Sequence, residues 1–463
     1  MKTFFTKSAL YLALTIPAFF FLGCDDSEEG GSYEFSVEPT VLTFSAKQET
    51  QTLSVRTYGD WSIVLPQDAA WLKVSAMSGR GPAEIEVTAE NYYRTDTSRT
   101  ARLTVTGGNS GDFPLPVVQQ KLQMNDLSAA GKANCYIVPT SGDFAIDAAT
   151  QGNSESEQVG EWTSAELLWE DNRELITDLY GDPESKRIFF STAAAGNAVI
   201  AVKDASGKIL WSWHIWATDF DPNAKTLKYT NDNGSTWEFM DRNLGAANAE
   251  SGSFGAFGLL YQWGRKDPFT AATAFAPENP SETIRWNMLN NPLPAMASDA
   301  DSIGTVQLSI EHPTSFYVTR YAHGDWNGQP DPNLWGAVSG QKTVYDPCPA
   351  GWRVPAYDAQ GDSPYAFVTR QTTTGTDNIG RIYTDGNGND FLFPVAGSRV
   401  NGTGTLDCPG NYGSLWTATG KTTSNEDGTI EYGCLLFFTT GRLVSATYYD
   451  TRSQGVSVRC VKE

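Results

Sequence analysis

The sequence is poor in histidine, short of positive charge and without closely spaced cysteines. His214, His312 and His323 are its only histidines in 463 residues, and no two of them stand four apart. The six cysteines, Cys24, Cys135, Cys348, Cys408, Cys434 and Cys460, form no C-x-x-C pair. Zinc spacing is therefore absent. A thiol nucleophile needs a base beside it, and His323, the histidine nearest to Cys348, has no catalytic context. Lysine and arginine total 33 against 54 aspartates and glutamates, a net charge of −21. A chain this acidic has no basic footprint for nucleic acid and is repelled by anionic membrane surfaces. Helical heptads and solenoid repeats are missing too, and charged residues are only 19% of the chain.

Aromatics, by contrast, reach 12% with 14 tryptophans, among 43 glycines and 23 prolines. That mixture indicates a turn-rich, mainly β extracellular protein. The length exceeds what one core supports, so about three domains are expected.

The amino terminus gives an address. Two lysines precede an apolar run from Ala9 to Gly23, too short for a comfortable membrane span and suited to a signal-peptide core. The run ends in "FLGC", which resembles the bacterial lipobox; the resemblance implies cleavage after residue 23 and acylation of Cys24. Loss of Lys2 and Lys7 with the leader moves the net charge from −21 to −23. The "DDSEEGGS" that follows resembles the export tag of surface lipoproteins of Bacteroidetes, and residues 24–32 are read as a solvated tether. The implied location is the outer membrane, lipid-anchored and facing outward, an oxidising setting in which later cysteines form disulfides by default.

From 33 to 123 the pattern has period two. Leu42 and Phe44, Leu53 and Val55, Ile85 and Val87, and Leu103 and Val105 alternate with polar residues between turn clusters, which predicts a β-sandwich. Trp61, Trp71, the Ser78-Gly79-Arg80-Gly81 turn, Asn91 and Arg99 resemble the BACON domain in order, implying a carbohydrate-binding module or a spacer. Trp61 and Trp71 are expected in the core; Tyr92 and Tyr93, in a polar loop, are candidates for stacking on sugar.

From 125 to 219 a second sandwich is expected. "NAVIAVKDASGKILWSWHIW" is a hairpin, two apolar runs joined by "DASG". Ile209, Trp211, Trp213 and Ile215 share one face, and Leu210, Ser212, His214 and Trp216 the other. Apolar residues on both faces imply burial from two sides, here against a neighbouring domain. His214 is expected to be structural, and Cys135 a buried free thiol acting as a small hydrophobe.

From 220 to 463 an ordered series occurs: "WEFMDRNLGA", "GLLYQWGRKDPF", "DPCPAGWRVPAYD", "FLFPVAGSRVNGTGTL", "GNYGSLWTAT" and "GVSVRCVK". It resembles the Fibrobacter succinogenes major paralogous domain, and more distantly the C-type lectin-like and formylglycine-generating-enzyme folds. The fold class implied for the whole chain is mainly β and multidomain, two N-terminal Ig-like β-sandwiches followed by an α+β C-type lectin-like domain. Four cysteines allow three pairings, among which sequence alone does not choose; the lectin resemblance implies Cys348 with Cys460 and Cys408 with Cys434.

No catalytic residue stands out. The formylglycine-generating signature around G-N-V-W-E-W is replaced by "GNYGSLWTAT", and no motif singles out a carboxylate pair for glycoside hydrolysis. Cofactors and metals are not expected. Calcium is possible but not favoured: Asp385–Asp390 begins like a calcium loop but lacks glycine at its sixth position and glutamate at its twelfth. Gln329-Pro330-Asp331 is a lectin-type triplet without the W-N-D string of calcium lectins. The long insertion from Thr270 to Val344 holds Tyr321, His323, Trp326 and Trp335, read as an aromatic platform with Asp325 and Asn327 to bond sugar hydroxyls. The expected function is a non-catalytic surface lipoprotein binding glycans or glycoproteins. The alternatives are a fimbrial tip or anchor component that binds protein subunits, and an outer-membrane enzyme of formylglycine-generating-like or glycan-degrading type.

Overall fold

The computed structural model describes residues 35–95, 97–107, 111–273, 285–292, 304–318, 324–370, 380–426, 428–441 and 443–463. The expected leader, Cys24 and the tether, and likewise Tyr321 and His323, lie outside these residues. The chain is mainly β and divides into two compact units, Met1–Leu122 and Gln123–Glu463.

The first unit is a sandwich of a four-stranded and a five-stranded sheet. The eight alternating residues named above all face its interior, none more than 1% exposed. Strands with one buried face read as strict alternation, which is why this unit is plain in the sequence. Trp61 is buried over Gly79, where an added Cβ would stand 2.4 Å from an indole carbon, so no other residue fits beneath the ring. The Arg99 guanidinium lies 4.3 Å from the Trp71 ring and 4.4 Å from that of Tyr92, an inter-aromatic clamp of the cation–π kind.

In the second unit the expected hairpin forms between Gly196–Lys203 and Ile209–Ala217, with Asp204 and Lys208 closing its turn. These strands belong to a four-stranded sheet that also holds Cys135–Val138 and Ser164–Glu170. The Ile209–Ala217 strand is buried on both faces. Trp211, Trp213 and Ile215 pack with Phe144, Ile146, Ile188 and Phe190. Trp216, on the opposite face, packs with Cys135, Leu259, Trp263, Trp335 and Trp352. One sheet therefore supplies two cores, and the second is completed by residues beyond 220.

A buried polar strut reinforces that junction. Lys266 Nζ donates to Ser212 O at 3.0 Å and to Asp267 Oδ1 at 2.7 Å, and Ser212 Oγ donates to the same carboxylate at 2.6 Å. Desolvation lowers the Lys266 pKa, yet the paired carboxylate keeps the charge satisfied.

The carboxyl-terminal strand Val461–Lys462 pairs with Phe239 on one side and with Trp352–Arg353 on the other. Beside it, Cys348 and Cys460 form a disulfide with Cα atoms 6.0 Å apart, closing a sequence separation of 112. The pairing implied for Cys408 and Cys434 is not formed, and both are free thiols. Cys408 O accepts from Asn411 N just before the long strand Tyr412–Asn425, whose Tyr412 is opposite Thr439. Cys434 stands further along the partner strand, roughly 16 Å from Thr439 at about 3.3 Å per residue. A disulfide tolerates no more than about 7 Å between Cα atoms. The free Cys135 is buried as expected, and desolvation raises its pKa.

Candidate functional site

The described members of the platform expected in the long insertion, Trp326, Trp335, Asp325 and Asn327, do not form a surface. Trp326 is 2% exposed and Trp335 0%. Trp326 Nε1 donates to Trp263 O at 2.7 Å, and Trp335 Nε1 to Tyr345 O at 3.1 Å. The polar neighbours turn inward as well. Asp325 Oδ2 accepts from Arg452 Nη1 at 3.0 Å, and Asn327 Nδ2 donates to the Gln329 carbonyl within its own loop. These four groups are bonded inside the domain, which corrects the sequence expectation for Trp326, Trp335, Asp325 and Asn327. Tyr92 and Tyr93 are half-buried, with the Arg99 guanidinium on the Tyr92 ring. Asp385–Asp390 forms the tip of a hairpin, its Asp385 Oδ1 accepting from Asn387 N and Asn389 N.

Exposed aromatic surface occurs elsewhere, at the end of the largest sheet. The strand Val444–Thr451 is the outermost of that sheet and pairs with Gly428–Thr439, with a register shift between Leu435 and Phe437. Tyrosine and phenylalanine suit such a pleated, half-covered position. Tyr448 is 45% exposed and Tyr449 39%. Their rings join a continuous row: Tyr412 to Phe437 at 5.5 Å, Phe437 to Tyr448 at 4.9 Å, Tyr448 to Tyr449 at 6.3 Å, and Tyr449 to Tyr432 at 4.9 Å. Lys421 Nζ stands 3.7 Å from the Tyr449 ring centre.

Polar groups border the row. Tyr412 OH contacts Ser398 Oγ at 2.6 Å and donates to Asp407 Oδ2 at 3.2 Å. Thr422 Oγ1 donates to Glu431 Oε2 at 2.9 Å. Asp450 is largely enclosed, and desolvation raises its pKa. Rings fixed by their neighbours, with an ammonium and hydroxyls alongside, can stack on apolar sugar faces and bond the hydroxyls around them. Sequence reasoning missed this row. Its one linear signal was the doublet Tyr448-Tyr449 in "LVSATYYD".

No group of histidine, cysteine and carboxylate side chains able to hold a metal occurs among the described residues.

Residues 61–120 match the family model BACON, described as "Putative binding domain, N-terminal". No curated protein matches the chain. Among solved structures, a Bacteroides ovatus GH5 xyloglucanase in complex with a XXXG heptasaccharide is 24% identical over 23% of this chain, with a TM-score of 0.18. The match spans only 27% of the xyloglucanase. A protein from Bacteroides thetaiotaomicron, solved by NMR, is 18% identical, covers 21% of this chain and 96% of its own, and has a TM-score of 0.16. A chaperone–tip adhesion subunit complex of the Csu pili of Acinetobacter baumannii is 12% identical over 19% of this chain and 57% of its own, with a TM-score of 0.17.

Proposed function

We propose that this chain is a non-catalytic, lipid-anchored surface protein of the outer membrane that binds glycans or glycoproteins through its carboxyl-terminal half. The observation that carries this reading is the aromatic row on the outermost strand, with Tyr448 and Tyr449 exposed and Lys421 beside them. A contiguous exposed aromatic patch, unlike rings scattered singly, marks an interaction surface, and planar rings next to hydroxyl-bonding groups suit sugars. The match of residues 61–120 to a family described as a binding domain agrees with a binding role. The acidic and glycine-rich stretch after Cys24 supports the anchoring.

A glycan array probed with the full chain tests this reading. Binding that falls at least about tenfold in the Tyr448→Ala/Tyr449→Ala variant supports it; an array without signal, or signal that this variant leaves unchanged, overturns it.

A further inference from the structure

The largest sheet sorts its charges by face. Residues directly opposite each other on paired strands share a face, and successive residues of one strand alternate between faces. Lys421 stands opposite Tyr432, Tyr432 opposite Thr451, and Cys434 opposite Tyr449, so Lys421, Tyr432 and Tyr449 share one face. Glu431, opposite Thr422, and Asp450, opposite Gly433, fall on the other. The acids there are already engaged. Glu431 Oε2 pairs with Arg452 Nη2 at 3.0 Å, Arg452 Nη1 holds Asp325, and Asp450 Oδ1 accepts from Thr451 N at 2.7 Å. Asp407 is bonded to Tyr412, at the opposite end of the aromatic row from Lys421.

Lys421 differs from these groups. It is exposed, its ammonium stands 3.7 Å from the Tyr449 ring centre, and it pairs with no carboxylate among the described residues. A ring face gives an ammonium only part of a counter-charge. A sugar settling on the row strips water from that ammonium, and a neutral sugar returns hydroxyl oxygens without charge. A carboxylate or a sulfate returns both, in a charge-assisted hydrogen bond. The Tyr448 and Tyr449 ring centres are 6.3 Å apart, so a sugar ring on Tyr448 can extend a charged substituent to Lys421.

We propose that the aromatic row selects acidic glycans, whose carboxylate or sulfate pairs with the Lys421 ammonium while a sugar ring lies on Tyr448. The inference rests on the glycan-binding reading and adds the charge of the ligand. It also orients the ligand: the anionic group lies at the Lys421 end, and neutral hydroxyls lie towards Tyr412 and Asp407. The net charge of −21 repels such a ligand at long range. Salt screens that repulsion beyond about 8 Å, which leaves the nearest unpaired charge to decide.

The test probes a glycan array with the full chain and with its Lys421→Gln, Lys421→Arg and Tyr448→Ala/Tyr449→Ala variants. The array carries matched pairs: tetragalacturonate with its methyl ester, sialyllactose with lactose, and sulfated N-acetyllactosamine with its unsulfated parent. The expected result is that bound glycans are acidic and exceed their neutral partners by at least about fivefold. That margin should vanish in Lys421→Gln and survive in Lys421→Arg. The Lys421→Gln melting temperature should match the parent's, because the side chain is exposed. A margin in the galacturonate or sialyl pair assigns a carboxylate, and one in the sulfated pair a sulfate. Binding of neutral glycans alone, lost in the double tyrosine variant, keeps the glycan reading and overturns this inference. Acidic glycans held equally well by Lys421→Gln overturn it too, since their charge is then met elsewhere. An array without signal removes the glycan reading and this inference together.

Discussion

His214 Nε2 lies 3.0 Å from Asn197 Oδ1, and the amide nitrogen of the same Asn197 donates to Asp171 Oδ2 at 2.8 Å and to Gly245 O at 2.9 Å. With its nitrogen committed as donor, Asn197 can only accept from the imidazole, so the proton sits on Nε2. Burial pushes the His214 pKa down to about 3 and the Asp171 pKa up to about 6. Below about pH 6.5 the unfolded chain takes up a proton that folded His214 refuses, so stability falls as pH drops towards 3, by up to about 5 kcal/mol. Asp171 opposes this. Its contribution is present at low pH and fades as pH rises from about 4 through 6, because there the folded chain holds a proton the unfolded chain has released. Thermal melts from pH 4 to 7 should show less acid lability in His214→Gln and more in Asp171→Asn. Profiles parallel to the parent in both variants would show that the chain does not titrate in this way.

Trp326→Ala and Trp335→Ala should each cost about 3–5 kcal/mol, the cost of emptying a packed aromatic site. Denaturant midpoints measure this. Glycan binding per folded molecule should stay as in the parent, because neither ring reaches solvent.

The disulfide closes a sequence separation of 112 and should contribute about 4–5 kcal/mol by restricting the unfolded chain. The Cys348→Ala/Cys460→Ala variant should melt at a correspondingly lower temperature. Non-reducing peptide mapping should recover Cys348 and Cys460 in one linked peptide. Cys135, Cys408 and Cys434 should be alkylated only as single thiols once the chain is denatured.

Tyr448→Ala and Tyr449→Ala remove half-exposed rings and should change stability by less than about 1 kcal/mol each. Glycan affinity should drop by about 1–2 kcal/mol per ring. Lys421→Ala should have a smaller effect unless the sugar is acidic. Calorimetric titration with whichever glycan the array identifies separates these contributions.

Legibility in the sequence followed how many faces each strand buries. Leu42, Phe44, Leu103 and Val105 alternate because each has one wet neighbour, and the first sandwich was readable from them. The hairpin announced itself through its turn, and the doubly apolar Ile209–Ala217 strand through tryptophans on both faces. Which residues cover its second face was not readable, since Trp335 and Trp352 come from far along the chain. The insertion misled for a chemical reason: Asp325 and Asn327 look like surface groups, but Arg452 and loop carbonyls satisfy them internally. Tyr448 and Tyr449 escaped notice because a doublet within a strand normally sends one ring in and one out. At an outermost strand both stayed exposed. The Cys408–Cys434 pairing came by analogy with lectins, and the length of the intervening strand defeats it.

The parallel ladder between Cys135–Val138 and Ile209–Ala217 has a mechanical corollary. A tug on the chain just ahead of Cys135, past the Asn125–Asp126 pairing with Phe144–Ala145, would act along that strand and load its hydrogen bonds together instead of peeling them open one by one. Because the Ile209–Ala217 strand is gripped by two hydrophobic cores, the pull is spread across both.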